Sequence, residues 1–418
     1  MKDLLITNIG KLHQVRDHQS GFLSGAQMMI WPCLDHAWLR IRSGKIHSFG
    51  LMPDLLPEPG PVLDAEGGWV FPGWCDSHTH IVFAASREQE FVDRINGLTY
   101  EQIAANGGGI LNSAAKMAAA TEDELFESAQ QRLQEIIRMG TVAVEIKSGY
   151  GLSLDSELKM LRVIKRLKES SGIDIKSTFL GAHAIPLQYR QHREEYIRII
   201  IEEMLPEVAS QNLADYCDVF CDRGFFTPEE TILILNAAAK FGLKAKIHAN
   251  ELGVTGGVQA GVACNALSVD HLEAMDQAAI DALKGTNTMP TLLPGTAFFL
   301  GMEFAPARQM IDEGLPVALA SDYNPGSTPS GNMPFVVALA CIRMKMLPEE
   351  AMNAATINGA YAMELESEYG SIQKGKWGSV FITPALPSLA YIPYAFGSDL
   401  IHSVIVKGEL SVKKRYNI

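Results

Sequence analysis

The 418-residue chain reads as an α/β protein, a (β/α)8 TIM-like barrel with a small β-sandwich domain built from both termini. Three observations predict this. Apolar strand-like runs alternate with helical patterns through the middle of the chain. Histidines and carboxylates recur just beyond the ends of those runs. Hairpin-like texture occupies both ends. A doubly wound open sheet is the competing architecture, and the absence of a GxGxxG or GxxxxGK(S/T) loop in the βα turns weakens it.

The elements justify themselves in order. Trp38 to Arg42 alternates, Ser43-Gly44-Lys45 turns and Ile46 to Gly50 alternates again, which is a hairpin signal. Gly375 to Ile382 and Ser403 to Gly408 repeat the texture near the other end. The predicted units are therefore 1–66 plus 376–418 as the composite β-sandwich and 67–375 as the barrel. Inside the barrel, Thr121-Glu122-Asp123-Glu124 is a capping box. Leu125, Ala129, Leu133 and Ile136 follow at helical spacing, Gly140 stops the helix, and Thr141 to Ile146 is β-branched and strand-like. A second cycle has Thr227 as cap, Pro228 at the first helical position, Glu230 closing the box and Gly242 at the stop, followed by the strand Lys244 to His248. Further strands are predicted at Ile175–Leu180, Cys217–Phe220, Leu267–Asp270, Thr288–Leu292 and Val317–Ala320; with the runs ending at His80, Glu145 and His248, they make eight.

Composition narrows the function. The net charge of −13 argues against nucleic acid, whose phosphates need a basic surface. The six cysteines form no CxxC pair, which suits a reducing, cytoplasmic setting. No apolar run approaches the ~20 residues of a membrane helix. A soluble enzyme with a small-molecule substrate fits these limits.

The chemistry begins at Asp76-Ser77-His78-Thr79-His80. Residues i and i+2 of a strand share a face, so His78 and His80 offer two imidazoles to one ion. Beyond other strand ends stand Lys147, His183, His248, His271 and Asp322, all at the C-terminal rim of a barrel. His78, His80, His248 and Asp322 make a plausible mononuclear site for one zinc or iron ion. Such an ion activates water, and Asp322 can accept its proton. Glu251 is a candidate base or acceptor for a substrate N–H, and His271 can hold the attacked oxygen; a dipole-stabilised helix N-terminal charge is the competing reading of Glu251. Arg87 can fork onto a substrate carboxylate or form a surface ion pair. Tyr150 adds a hydroxyl or packs on the rim. Asn106 to Ile110 is a lid or a simple flexible loop. Asn324-Pro325-Gly326-Ser327 presents N–H and hydroxyl donors to an anion, or is an ordinary turn. Lys147 is either a carboxylated bridge between two metals or a structural ion pair, and one metal is the preferred reading.

Taken together these residues resemble the amidohydrolase superfamily and, within it, the imidazolonepropionases. The matching stretches are 76–80, 107–110, 147–152, 180–184, 248–251, 269–273 and 321–327. The HxH pair is common to the superfamily; Ser148-Gly149-Tyr150-Gly151-Leu152, Leu180-Gly181-Ala182-His183-Ala184 and the 322–327 segment are far more specific. The resemblance implies hydrolysis of 4-imidazolone-5-propanoate to N-formimidoyl-L-glutamate, the third step of histidine degradation. It implies that Arg87, Tyr150 and His183 hold the substrate, that Glu251 contacts the ring nitrogen and helps activate water, and that His271 supports the attacked carbonyl. Asn324, Gly326 and Ser327 would contact product or ring substituents. A single metal without a carboxylated lysine and a homodimer also follow from the resemblance. Ser321 departs from it where Thr is expected, but keeps the hydroxyl. Another cyclic amidohydrolase or a deaminase is the near alternative. A non-catalytic scaffold is disfavoured because all four ligands are present.

Overall fold

The computed structural model describes residues 3–17, 21–56, 58–98, 102 and 108–413. The eight barrel strands are Trp74–Thr79, Thr141–Lys147, Asp174–Ala182, Tyr216–Cys221, Lys244–Ala249, Ser268–His271, Met289–Leu292 and Ala318–Leu319, ordered round the sheet as in the chain. All neighbouring pairs are parallel. The last and first strands meet where the Asp322 amide donates to the His78 carbonyl and the His80 amide to the Tyr323 carbonyl, both at 2.9 Å. This closure places the two ends of the ligand set side by side. Each strand expected from the sequence overlaps an observed one.

The helices start where side chains can take the orphan amides. Thr121 and Thr227 each complete a capping box, with Glu124 and Glu230. Such a cap stabilises a helix by about 1 kcal/mol. In the helix Glu122–Arg138, Leu125, Ala129, Leu133 and Ile136 are buried in the barrel core.

The composite domain of both termini is one hydrogen-bonded sheet of eight strands. Leu4–His13 lies at its centre, antiparallel to Cys33–Arg42 and parallel to Val62–Asp64 and Trp69–Pro72. The expected hairpin is present, turning at Ser43 and Gly44 with φ of 49° and 79°. A separate apolar cluster that includes Ile6, Ile9, Leu39, Ile41, Val380 and Ile405 fills this domain.

Two boundaries differ from the sequence reading. The apolar run leading to His78 is two strands: Trp69–Pro72 pairs with Val380–Thr383 in the composite sheet, and Trp74–Thr79 enters the barrel. The hand-over falls at Gly73, beyond the expected boundary at 66/67. A Cβ there would lie 2.3 Å from Val142 Cγ1, so the crossing needs glycine. Of the run Gly375–Ile382, the strand begins at Val380, because Gly375 turns the chain at φ 89°. The two domains are also stitched together. Asn358 exchanges hydrogen bonds with the Leu23 backbone at 2.8 and 2.9 Å, and Leu23 and Met28 pack into the barrel core.

Candidate active site

The strand ends bring His78, His80, His248 and Asp322 to one place at the C-terminal mouth, and all four are buried. His78 and His80 share a face as the alternation requires, while Thr79 turns its hydroxyl to the Glu145 carbonyl at 2.6 Å. His80 Nε2 lies 3.3 Å from His78 Nε2 and 3.3 Å from His248 Nε2. Asp322 Oδ1 is 3.6 Å from the Nε2 atoms of both His78 and His80.

The far side of each ring is held. His78 Nδ1–H donates to Asp270 Oδ2 at 2.6 Å, and His248 Nδ1–H donates to Asp218 Oδ1 at 3.0 Å. Each of these rings thereby turns its Nε2 toward His80 Nε2. Burial, with neighbouring cationic groups, holds the His78 and His80 rings well below the usual imidazole range, so both stay neutral. Neutral imidazoles facing one another and a carboxylate suit a shared cation. Tetrahedral ligand nitrogens at ~2.0–2.1 Å from an ion stand about 3.3 Å apart. The residues therefore fit a divalent metal. A second grouping, His78, His248 and His271, also brings its ligand atoms within 4.8 Å of one another.

Asp322 is fixed by its neighbours. Its Oδ2 accepts from Thr296 Oγ1 at 2.6 Å and from Ser327 Oγ at 3.2 Å, leaving Oδ1 toward the histidines. Its φ of 54° puts it in the left-handed region, as do 84° at His271 and 55° at Asn250. Such strain clusters at functional sites. Ser321 donates its hydroxyl to Asp76 at 2.6 Å, so the departure from threonine keeps the contact that matters.

Above this floor opens a cavity of about 610 Å³. Arg87, Tyr150, His183, Glu251, His271, Asn324, Gly326 and Ser327 all line it, so the structure gathers every substrate-side residue expected from the sequence. Glu251 and His271 face each other at 3.6 Å, with Glu273 3.5 Å from the other ring nitrogen. Burial pushes the Glu251 carboxyl up to about 7, against the pull of His271. Burial alone would lower His271, but Glu251 and Glu273 outweigh it and raise the imidazole to about 10. His183 donates Nδ1–H to the Gly149 carbonyl at 2.9 Å, and burial lowers it to about 3. Gly149 has φ 109°, and a Cβ there would come within 2.8 Å of His183 Nδ1. Glu157 secures that loop by accepting from the amides of Gly149, Gly151 and Leu152.

The wall departs from expectation in three places. Arg87 commits Nε and Nη2 to Glu90 at 2.9 and 2.6 Å, so its fork is closed on a protein carboxylate and Nη1 is the edge beside Gly326. The amides of Gly326 and Ser327 do not face an anion; they donate to Asn324 Oδ1 at 2.7 and 2.8 Å, and Asn324 Nδ2 donates to the Asp322 carbonyl and Ser327 Oγ. The 322–327 segment is thus a self-satisfied loop that braces Asp322. Of the expected lid, Asn106 and Gly107 lie outside the described residues, and Gly109 opens the helix Gly109–Ala119 with its amide on Glu90 at 2.8 Å. Arg94, Phe220, Phe225, Leu300 and Met302 also line the cavity and were missed. Arg94 donates to the Gly326 carbonyl at 3.1 Å. Asp218 and Asp270 were missed as well, although a carboxylate inside an apolar strand was a readable signal. Lys147 takes the ion-pair form, buried between Glu145 and Asp218.

Residues 69–410 match the Amidohydrolase family. The chain is 57% identical over 408 residues to the imidazolonepropionase of Flavobacterium johnsoniae, covering 97% of this chain and 99% of the relative. It is 53% identical over 409 residues to that of Christiangramia forsetii, with 97% and 99% covered. Among solved structures, it superposes on a guanine deaminase from C. acetobutylicum with a TM-score of 0.70 at 17% identity, covering 98% of this chain and 99% of that one. An adenosine deaminase from Xanthomonas campestris gives 0.68 at 15%, with 98% and 93% covered. At these identities the structures speak for the fold alone. Among the described residues no helix is long and apolar enough to cross a membrane.

Proposed function

The chain belongs to the amidohydrolase family, among its imidazolonepropionases, and from that premise we propose how its residues open 4-imidazolone-5-propanoate to N-formimidoyl-L-glutamate. It is a hydrolase of carbon–nitrogen bonds in cyclic amides, acting in histidine degradation. The observation that carries the residue roles is the convergence of three imidazoles and one carboxylate beneath a cavity that also holds a buried acid–base pair.

His78, His80, His248 and Asp322 hold one zinc or iron ion; when bound it supplies Lewis acidity, bringing the pKa of water to near ~7 and polarising a carbonyl. Arg87, in the cavity wall, supplies the positive charge that attracts the propanoate, and Tyr150 and His183 orient the ring. Asp322 accepts the proton of the attacking water, its other oxygen being tied to Thr296. His271, kept cationic by Glu251 and Glu273, donates to the oxygen that gains charge as water adds to the ring carbonyl. Glu251 accepts from the ring N–H and steers the proton to the nitrogen as the carbon–nitrogen bond breaks. The carbonyl carbon leaves as the product's carboxylate, and the opened nitrogen remains in the formimidoyl group. Asn324, Gly326 and Ser327 act by shaping the loop that braces Asp322.

Purified protein should abolish the ultraviolet absorbance of the imidazolone ring without releasing ammonia. Persistence of the absorbance with metal supplied rejects this substrate, and ammonia release assigns a deaminase. We extend the reading to a cytoplasmic homodimer that binds neither nucleic acid nor membranes. Sedimentation at twice the chain mass supports the dimer.

A further inference from the structure

Lys147 ends the second barrel strand and is fully buried. Its Nζ donates to Glu145 Oε1 at 2.5 Å and Asp218 Oδ2 at 2.7 Å, and lies 3.5 Å from Asp270 Oδ2. Asp218 is the carboxylate that holds the His248 ring, and Asp270 is the one that holds the His78 ring. Their strands flank the strand of His248 on either side. One ammonium therefore spans both carboxylates that aim ligand rings. Lys246 supports the arrangement from behind: its Nζ meets the other oxygen of Glu145 and donates to the Ser77 carbonyl at 3.1 Å, next to His78.

We propose that Lys147 is a positioning residue for the metal centre: by bridging Asp218 and Asp270 it fixes the orientation of His248 and His78 together, so that both Nε2 atoms point at one ion. The inference rests on the ligand set assigned above and adds to it a part played by a residue that touches neither substrate nor metal. The geometry sets it apart from simple neutralisation of buried charge. Two carboxylates of like sign repel; Asp218 meets the His248 ring with Oδ1 and Lys147 with Oδ2, and Asp270 turns Oδ2 to both the His78 ring and Lys147. Without the ammonium they separate, and the two rings turn with them. Outer partners of ligating histidines typically change metal affinity by about 10- to 100-fold.

The test uses the full chain and Zn²⁺ as the probe. Lys147→Met leaves Glu145 short of a partner and can fail to fold. Lys147→Met/Glu145→Gln removes one charge of each sign and leaves Lys246 in place, so it supplies a folded comparison. Zn²⁺ affinity is measured by competition with a chelating dye, and the histidine tautomers of the zinc-free protein by nitrogen-15 spectra. The proposal expects a folded variant whose Zn²⁺ affinity falls about 10- to 100-fold, with loss of the fixed Nδ1–H signals of two histidines. A folded variant with wild-type affinity and unchanged histidine signals overturns it. Failure of the wild-type chain to bind Zn²⁺ at one per chain overturns the ligand set itself, and this inference with it.

Discussion

The floor and the wall of the cavity are built differently. The floor stands on strands: His78, His248 and the carboxylates behind them are set by register, buried, and held by a network of three carboxylates and two ammoniums drawn from four barrel strands. The wall stands on loops and helix starts: Arg87 begins a helix, Tyr150 follows a glycine turn, and Asn324 to Ser327 satisfy one another. In the floor every polar contact bears on one small volume. In the wall most contacts hold the loops themselves, and few remain for a ligand. The floor should therefore govern whether the reaction occurs, and the wall which molecule enters.

Substitutions can break this contrast. The largest effect belongs to the floor. Asp322→Asn should lower kcat by about 10³-fold or more, the scale of losing a fixed electrostatic contact in the transition state, and steady-state kinetics at matched metal content will show it. Chelation should abolish activity and added Zn²⁺ or Fe²⁺ restore it. A second effect belongs to the wall. Arg87→Met removes a charge-assisted contact of about 1.5–3 kcal/mol, so KM should rise roughly 10- to 100-fold with kcat changed far less. An equal loss in kcat would erase the distinction between floor and wall.

The acid–base pair between them gives a pH test. Burial raises Glu251 to about 7, so the carboxyl is protonated below that value and cannot accept the ring N–H. kcat/KM should therefore fall as pH drops through an apparent pKa no higher than about 7, since a bound cation only favours the ionised form. Glu251→Gln should lose that limb along with most of the rate. The smallest effect is expected in the loop. Asn324→Ala strands the amides of Gly326 and Ser327, so the melting temperature should fall by an amount equivalent to about 1–3 kcal/mol, with only a modest change in KM.

The same contrast explains what the sequence disclosed. His78 and His80 were legible because strand alternation fixes their faces, and His248, His271 and Asp322 because they stand at the ends of apolar runs. The strands themselves were legible from β-branched runs and from capping boxes at Thr121 and Thr227. The hand-over at Gly73 was not, because two strands of different sheets follow one another in a single apolar run. For Arg87 the sequence leaves a substrate carboxylate and an ion pair both open, since spacing does not reveal that Glu90, one helical turn on, takes Nε and Nη2. For Asn324 to Ser327 the sequence leaves an anion-binding turn and an ordinary turn both open, because the Asn324 side chain that captures the Gly326 and Ser327 amides acts within its own turn. Asp270, the partner of His78, stands on a strand across the barrel, and Asp218, the partner of His248, on the strand beside it, so only the assembled barrel reveals them.

Crystals grown with zinc and measured at its absorption edge test the central claim most directly. The account predicts one anomalous peak per chain, within about 2.0–2.2 Å of His78 Nε2, His80 Nε2, His248 Nε2 and Asp322 Oδ1. A peak ligated by His271 in place of His80, or no peak among these four side chains in protein that still opens the ring, would contradict it.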